Sequence, residues 1–215
     1  FVGGMISVML AVVGECVFAQ LMSGGSCREG LNYADQNAFV LFLGIAFIEE
    51  YVKYLVVKFL ILRRKDFDEP VDAMIYLITA ALGFAAVENV LFIFPLFHES
   101  LHLGLEITTH RFLGANLLHA LSSAIVGFFL ARAWFSPHRR HAVACGIIIA
   151  SLLHACFNYL ILVRGDLPQG TLYLVLLLAM MAVVVFIDFE RLRGRGQPED
   201  EGTGMIPPSP PSQQV

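Results

Sequence analysis

The sequence predicts an all-α protein, a polytopic bundle of about six transmembrane helices followed by a disordered C-terminal tail. Of its 215 residues, 57% are hydrophobic and only 15% are charged, and the mean hydropathy is +0.72. A soluble domain of this length is far less apolar. Six windows are also long enough to cross a hydrocarbon core of ~30 Å, which takes about 20 helical residues.

The predicted spans follow one another along the chain, with no internal repeat and no soluble domain between them. They comprise approximately residues 1–22, 38–62, 71–94, 111–134, 142–163 and 171–189. We expect residues 1–193 to form one transmembrane domain, incomplete at its N-terminus because the chain begins with Phe rather than Met. Residues 194–215 are rich in Pro, Gly and charge and have little apolar surface to bury, so we expect them to be disordered.

Each predicted span has a composition that suits a membrane helix. The first has Glu15 as its one charged residue, and the third contains Gly83 among alanines, which permit close approach of a neighbouring helix. Pro95 is expected to end or kink the third span. The second, fourth and fifth interrupt their apolar runs with Glu, Lys, His and Ser. The sixth is apolar as far as Asp188, where a charged helix end begins.

Lys and Arg residues predict the orientation, because cytoplasmic loops carry an excess of them. Nine lie on one side of the predicted bundle: Arg63, Arg64, Lys65, Arg132, Arg139, Arg140, Arg191, Arg193 and Arg195. Three lie on the other side: Arg28, Arg111 and Arg164. The N-terminal end and the C-terminal tail are therefore assigned to the cytoplasm.

Charge and cysteine content exclude several other classes of protein. The net charge of −4 owes much to the acids of the tail, and no basic surface for a nucleic acid is visible, so we expect the lipid bilayer and no nucleic acid as a partner. Cys16, Cys145 and Cys156 lie in apolar segments, Cys27 lies in a loop, and no CxxC spacing occurs. Neither a disulfide framework nor a zinc ribbon is predicted.

The second span carries two adjacent carboxylates and one ammonium in the sequence FIEEYVKYLVVK. Lys53 lies four residues after Glu49 and three after Glu50, so it can reach either carboxylate on one face of a helix. A single buried ion pair of this kind often serves only helix packing. The second acid has no such structural need, and it can accept a proton from water or bind a cation.

Three further spans place polar groups in apolar surroundings. Glu88 is followed by Asn89 in the third span. His119 is followed by Ser122 and Ser123 in the fourth and His154 by Asn158 in the fifth, each about one turn later, so each imidazole has a local polar partner able to orient it. An intramembrane acid is a functional candidate by default. A lone histidine on an apolar face is more often a packing residue, and either histidine alone would be assigned that role.

The depths of these groups agree. With the predicted orientation and a rise of 1.5 Å per residue, the two adjacent glutamates, Glu88, His119 and His154 all lie within roughly 8 Å of the membrane midplane. Helices of opposite direction thus agree on one layer, which predicts a single buried polar site. Histidine and carboxylate together are the ligands of a catalytic zinc, which leaves one position for an activated water and uses another Glu as base.

Two other interpretations use the same residues. In a transporter or ion-coupled channel, the Glu, Lys and His side chains would form a proton or cation pathway, although no repeated half and no pair of Gly/Pro-broken helices is evident. In a catalytically idle scaffold, they would join the helices. The transporter predicts ion flux without cleavage of any peptide, and the scaffold predicts that alanine substitutions at these positions damage stability more than any activity.

Four motifs occur in order along the chain: EEYVK at 49–53, FAAVEN at 84–89, HALSSAIVG from His119 with Arg111 upstream, and HACFN at 154–158. Together they resemble the PrsW family of intramembrane proteases. Their order matches the family pattern of EExxK, FxxxEN and two later histidine motifs on successive membrane helices. The combination is specific, although each motif alone is weak, and it covers residues 38–163.

The resemblance implies a polytopic membrane endopeptidase, described in this family as a metalloprotease, whose substrates are membrane proteins or peptides. The best-known members cleave anti-sigma factors, and the cytoplasmic membrane of a prokaryote is the implied location. The family is related to the CAAX prenyl endopeptidases and the bacteriocin-processing enzymes. In that wider group a glutamate and a histidine can activate water without zinc. The oligomeric state is left open.

The resulting hypothesis is peptide hydrolysis in a water-filled cavity that opens toward the outer face. Glu49 or Glu50 takes the proton of the attacking water, and Lys53 tunes the pair. A divalent metal, expected to be Zn²⁺, is held by His119, His154 and Glu88, or the same groups polarise the water directly. Asn89 and Asn158 orient ligands or steady the developing oxyanion.

Overall fold

A computed structural model describes residues 1–24, 26, 27, 34–62, 69–99 and 101–196, and the side chains of this part except those of 34–37, 95–99, 101–112 and 194–196. Within this part the chain forms six α-helices and no strand. They are α1 (Val2–Ser23), α2 (Ala34–Leu60), α3 (Asp72–Glu99), α4 (Leu101–Arg132), α5 (Arg139–Val163) and α6 (Gly170–Gly196). The prediction of an all-α bundle of six helices is confirmed.

Five of the six helices are long and apolar enough to span a membrane. The exception is α2, whose stretch around the Glu49, Glu50 and Lys53 side chains carries too much charge to qualify by composition. These three side chains are nevertheless buried inside the bundle. Helix α2 packs against α1, α3, α4 and α5, so it lies at the centre, where neighbouring helices shield its charges from lipid.

The helix boundaries differ from the predicted spans mainly around the connection between α3 and α4. Helix α3 continues past Pro95, where an end or kink was predicted, to Glu99, and α4 begins at Leu101, ten residues before the predicted start of its span. A hydropathy window detects the part of a helix that lies in the hydrocarbon layer. Backbone hydrogen bonding continues beyond that layer, and it extends both helices.

Small residues bring α3 and α4 into close contact along their length. A Cβ atom built on Gly127 of α4 would lie 2.6 Å from the Cα of Met74 in α3, so only a glycine fits there. Ala73, Ala81 and Ala85 of α3 are fully buried. The close approach predicted at Gly83 of α3 is made to the start of α1, because a Cβ atom built on Gly83 would meet the carbonyl oxygen of Phe1.

Apolar side chains surround the polar layer of the bundle. One cluster joins α3, α4 and α5 through residues that include Met74, Leu130 and Ile147. Another, smaller cluster contains Phe84 of α3 with Val8 and Ala11 of α1. Phe84 contacts the polar layer as well as this apolar cluster, because its ring centroid lies 4.3 Å from the Lys53 Nζ.

A disulfide joins Cys16 of α1 to Cys27, although the sequence predicted no disulfide framework. Helix α1 ends at Gly24, whose φ of 68° lies in the left-handed region, and the chain reverses direction there. The reversal brings Cys27 back beside the last turns of α1, with the two Cα atoms 4.8 Å apart. Sequence spacing did not reveal the pair because it depends on this reversal.

The C-terminal end of the predicted transmembrane domain lies inside the last helix. Helix α6 runs to Gly196, three residues past the predicted boundary at 193. The rest of the segment predicted to be disordered, residues 197–215, lies outside the described residues. The predicted domain division therefore stays a prediction.

Candidate active site

Four helices bring their polar side chains into one buried site. Helix α2 contributes Glu49, Glu50 and Lys53, α3 contributes Glu88, α4 contributes His119, and α5 contributes His154. Apart from Glu88, whose side chain is 23% exposed, these side chains are buried. The residues that the sequence placed in one layer of the membrane are thus in contact with one another.

Glu50 is the most completely paired group of the site. Its Oε1 accepts hydrogen bonds from Lys53 Nζ at 2.9 Å, Ser122 Oγ at 2.9 Å and His154 Nδ1 at 3.1 Å. Its Oε2 accepts a hydrogen bond from Ser123 Oγ at 2.8 Å. Because four donors converge on it, Glu50 is a carboxylate anion held in one orientation. It has little capacity left to take a proton from water.

Glu49 is held much more loosely than its neighbour. Its Oε2 lies 3.5 Å from Lys53 Nζ and 3.7 Å from both His119 Nδ1 and His154 Nε2. These separations exceed the usual hydrogen-bond distance, and they leave Oε2 facing two imidazole rings across a gap. Of the two adjacent carboxylates, Glu49 is therefore the one available to a water molecule or a cation.

The orientation of His154 is fixed by Glu50. Its Nδ1 lies 3.1 Å from Glu50 Oε1, and because a carboxylate can only accept, Nδ1 carries the proton. In the neutral imidazole, Nε2 is then unprotonated and faces Glu49 Oε2 at 3.7 Å. A carboxylate that holds the far nitrogen of a histidine in this way is the usual support for a metal-binding or water-polarising imidazole.

His119 bridges Lys53 and Glu88. Its Nδ1 lies 2.7 Å from Lys53 Nζ, and its Nε2 lies 2.8 Å from Glu88 Oε2. Because the ammonium can only donate and the carboxylate can only accept, the proton of a neutral His119 is on Nε2. The His119 and His154 rings meet edge to face, with centroids 4.9 Å apart.

Three of these residues form a donor set that fits a divalent metal. Ligand atoms of Glu49, His119 and His154 all lie within 4.8 Å of one another. Ligand atoms around a tetrahedral zinc lie about 3.3 to 3.5 Å apart, given zinc–ligand distances of about 2.0 to 2.2 Å. The 3.7 Å separations at Glu49 are therefore slightly wide. Metal binding at His119 Nδ1 would require Lys53 to withdraw toward Glu50.

Glu88 occupies a different position from the one predicted for it. The sequence grouped Glu88 with His119 and His154 as a third metal ligand. In the structure it contacts His119 from the side of Nε2, whereas the cluster that could hold a metal contains Glu49 in its place. The geometry of Glu88 suits a residue that orients His119.

The two predicted asparagines differ in their surroundings. Asn89 is buried and donates a hydrogen bond from Nδ2 to Oδ1 of Asn116 in α4, at 2.7 Å. Asn158 is half-buried one turn after His154, and within the described part of the chain it makes no hydrogen bond with the site. Asn89 thus joins α3 to α4 beside the Glu88–His119 contact.

Sequence reasoning missed the partners of Glu50. Ser122 and Ser123 follow His119 by three and four residues, and the sequence assigned them to the His119 imidazole. In the structure both hydroxyl groups contact Glu50 instead. The pair of adjacent serines in an apolar helix indicated a buried polar partner. Which group that partner is depends on how α4 packs against α2.

Comparison with known proteins agrees with this site. A sequence profile described as the PrsW family intramembrane metalloprotease matches residues 1–187. The chain belongs to the PrsW family. The PrsW match includes every helix that contributes to the site, from α2 through α5. No solved structure matches the chain.

Bacterial proteins named Protease PrsW are similar to this chain. The protein of Geobacillus kaustophilus is 35% identical over 124 residues, which cover 57% of this chain and 52% of the relative. That of Bacillus subtilis is 31% identical over 138 residues, covering 62% and 59% respectively. That of Clostridioides difficile is 29% identical over 129 residues, covering 59% and 53%. The chain thus spans between half and three fifths of the length of these PrsW relatives.

Proposed function

We propose that this protein hydrolyses peptide bonds of membrane-embedded or membrane-near protein substrates. The observation that carries the proposal is the convergence of Glu49, His119 and His154, from three helices, on one buried gap with ligand atoms within 4.8 Å. Membership of a family of intramembrane proteases supports the same activity. Anti-sigma-factor-like membrane proteins are the proposed substrates, as in the best-known members of the family.

Glu49 is the proposed general base. A base must lie within hydrogen-bond reach of the water from which it takes the proton. Glu49 Oε2 faces His154 Nε2 and His119 Nδ1 at 3.7 Å each, so a water in this gap can contact the carboxylate and an imidazole together. The four donors around Glu50 favour it as the anchor of His154 rather than as the base.

His119, His154 and Glu49 are the residues that would hold a divalent metal, with Zn²⁺ the expected ion, and Glu49 would then serve as a ligand in place of its role as base. When bound, such an ion lowers the pKa of a coordinated water and polarises a carbonyl oxygen. The remaining roles belong to the chain itself. Lys53 neutralises Glu50, Glu88 orients His119, and the partly exposed Asn158 is a proposed hydrogen-bond donor to the developing oxyanion.

The proposed site opens toward the outer face of a bacterial cytoplasmic membrane, and the C-terminal tail is cytoplasmic. The distribution of Lys and Arg supports this orientation. The Cys16–Cys27 disulfide supports it independently, because disulfides persist in oxidising compartments and Cys27 follows the end of α1 assigned to the outside. Glu88, the most exposed acid among the site contacts, would lie at the water-accessible entrance.

Purified protein is expected to cleave a single-span reporter protein in vesicles, and His154→Ala is expected to lower the rate by at least about 10³-fold, which is the scale for groups that act as one catalytic unit. The readout is the reporter fragment on a gel, its new terminus identified by mass spectrometry. Cys145→Ala, an exposed residue on the same helix, serves as the matched control and should retain wild-type activity. Ion flux without any cleavage, or full activity in His154→Ala, contradicts the proposal.

A further inference from the structure

The two serines of α4 contact the carboxylate of Glu50 from one side. Ser123 Oγ is 2.8 Å from Oε2, and Ser122 Oγ is 2.9 Å from Oε1. Both serines are fully buried, with 0% exposure, so neither hydroxyl can exchange this partner for water. Each oxygen of the carboxylate therefore receives one serine hydrogen bond.

Serines in membrane helices commonly hydrogen-bond to the carbonyl of the preceding turn of their own helix. Ser151 of α5 does so, with its Oγ 2.7 Å from the carbonyl oxygen of Ile147, and Ser7 of α1 does so with Gly4. Ser122 contacts the carbonyl of its own helix only at 3.2 Å, a longer separation than its contact with Glu50. The hydroxyl groups of Ser122 and Ser123 thus bond to Glu50 of another helix, α2.

From these contacts we infer that Ser122 and Ser123 are positioning residues, which set the carboxylate of Glu50 so that it turns His154 toward Glu49. This inference rests on the proposed function. The path is continuous: Ser123 fixes Oε2, Ser122 and Lys53 fix Oε1, and Oε1 accepts the Nδ1 proton of His154. The direction of the His154 Nε2 follows from that last hydrogen bond.

The two serines differ in how much Glu50 depends on them. Oε1 keeps two other donors, Lys53 and His154, when the Ser122 hydroxyl is removed. Among the residues that the structure describes, the Ser123 hydroxyl is the donor that Oε2 has. Loss of Ser123 should therefore release the carboxylate more than loss of Ser122.

The experiment measures kcat and KM for cleavage of the single-span reporter by Ser122→Ala, Ser123→Ala and Ser151→Ala. Ser123→Ala is expected to lower kcat by about 10- to 100-fold, the range seen when a residue that orients a ligand is removed, with KM within about twofold of wild type. Ser122→Ala should lower kcat less than Ser123→Ala does. Ser151→Ala should match wild type, because this buried serine lies one turn before His154 but bonds only its own helix.

Two further variants separate positioning from packing. Ser123→Thr keeps a hydroxyl group and should recover kcat relative to Ser123→Ala, which also covers the case in which the alanine variant folds poorly. In a Glu50→Gln background, Ser123→Ala should cause no further loss of kcat. Wild-type kcat in Ser123→Ala, or equal losses in Ser123→Ala and Ser151→Ala, overturns the inference while leaving the peptidase proposal intact. A wild-type protein that cleaves nothing overturns both.

Discussion

Glu49→Gln is expected to lower kcat for cleavage of the membrane reporter by about 10²- to 10⁴-fold, the usual contribution of a general base. Glutamine has the size of glutamate but cannot accept the proton of the attacking water. Because Glu49 makes no contact shorter than 3.5 Å among the ion pairs of the site, the substitution should leave the thermal unfolding temperature in detergent nearly unchanged.

Glu50→Gln is the matched comparison at the adjacent position. An amide keeps one acceptor oxygen but places an NH₂ group where donors now converge, so this variant should lose stability as well as activity. The two variants therefore separate the base from the anchor. Full activity in Glu49→Gln, together with inactive but well-folded Glu50→Gln, would reverse the assignment of the two carboxylates.

Lys53→Met is expected to lower the free energy of unfolding by about 3 to 5 kcal/mol, the cost of removing one partner of a buried ion pair. Lys53 is the ammonium at the centre of the site, with 0% exposure, and it contacts Glu50, Glu49 and His119. Methionine fills a similar volume but leaves the Glu50 carboxylate buried without its opposite charge.

Lys58→Met is the control for this prediction. Lys58 lies on the same helix, but it is exposed, and among the described residues its ammonium lies near the rings of Tyr54 and Phe59 rather than a carboxylate. Its replacement should change the free energy of unfolding by about 0.5 kcal/mol or less, as expected for a surface position. Equal thermal unfolding temperatures for the two variants would show that the buried ion pair does not hold α2 in the bundle.

The convergence of the site was predictable from the sequence because of the cost of charge in a membrane. Glu50 and His154 lie 104 residues apart, and no local pattern links them. Their equal depth in the membrane links them, since ionisable groups in the hydrocarbon layer are expected to face the bundle interior and pair with one another. The helical spacing of Glu49, Glu50 and Lys53 likewise predicted the ion pairs observed within α2.

The division of labour within the site was not predictable in this way. Depth does not give the rotation of a helix about its axis, and that rotation decides which of two adjacent carboxylates meets the serines of α4. The same limit explains why Glu88 was grouped with the metal ligands. It contacts His119 Nε2, whereas Glu49 reaches both imidazoles. These assignments depend on the packing of α2 against its neighbours.

The most direct test of the account is a double-mutant cycle of kcat/KM for reporter cleavage with Glu49→Gln and His154→Ala. If both residues act on one water in one site, either substitution alone removes most of the catalysis. The kcat/KM of the double variant should therefore be within about threefold of that of the slower single variant. Losses that multiply in the double variant would show that Glu49 and His154 act independently, and would contradict the single active site.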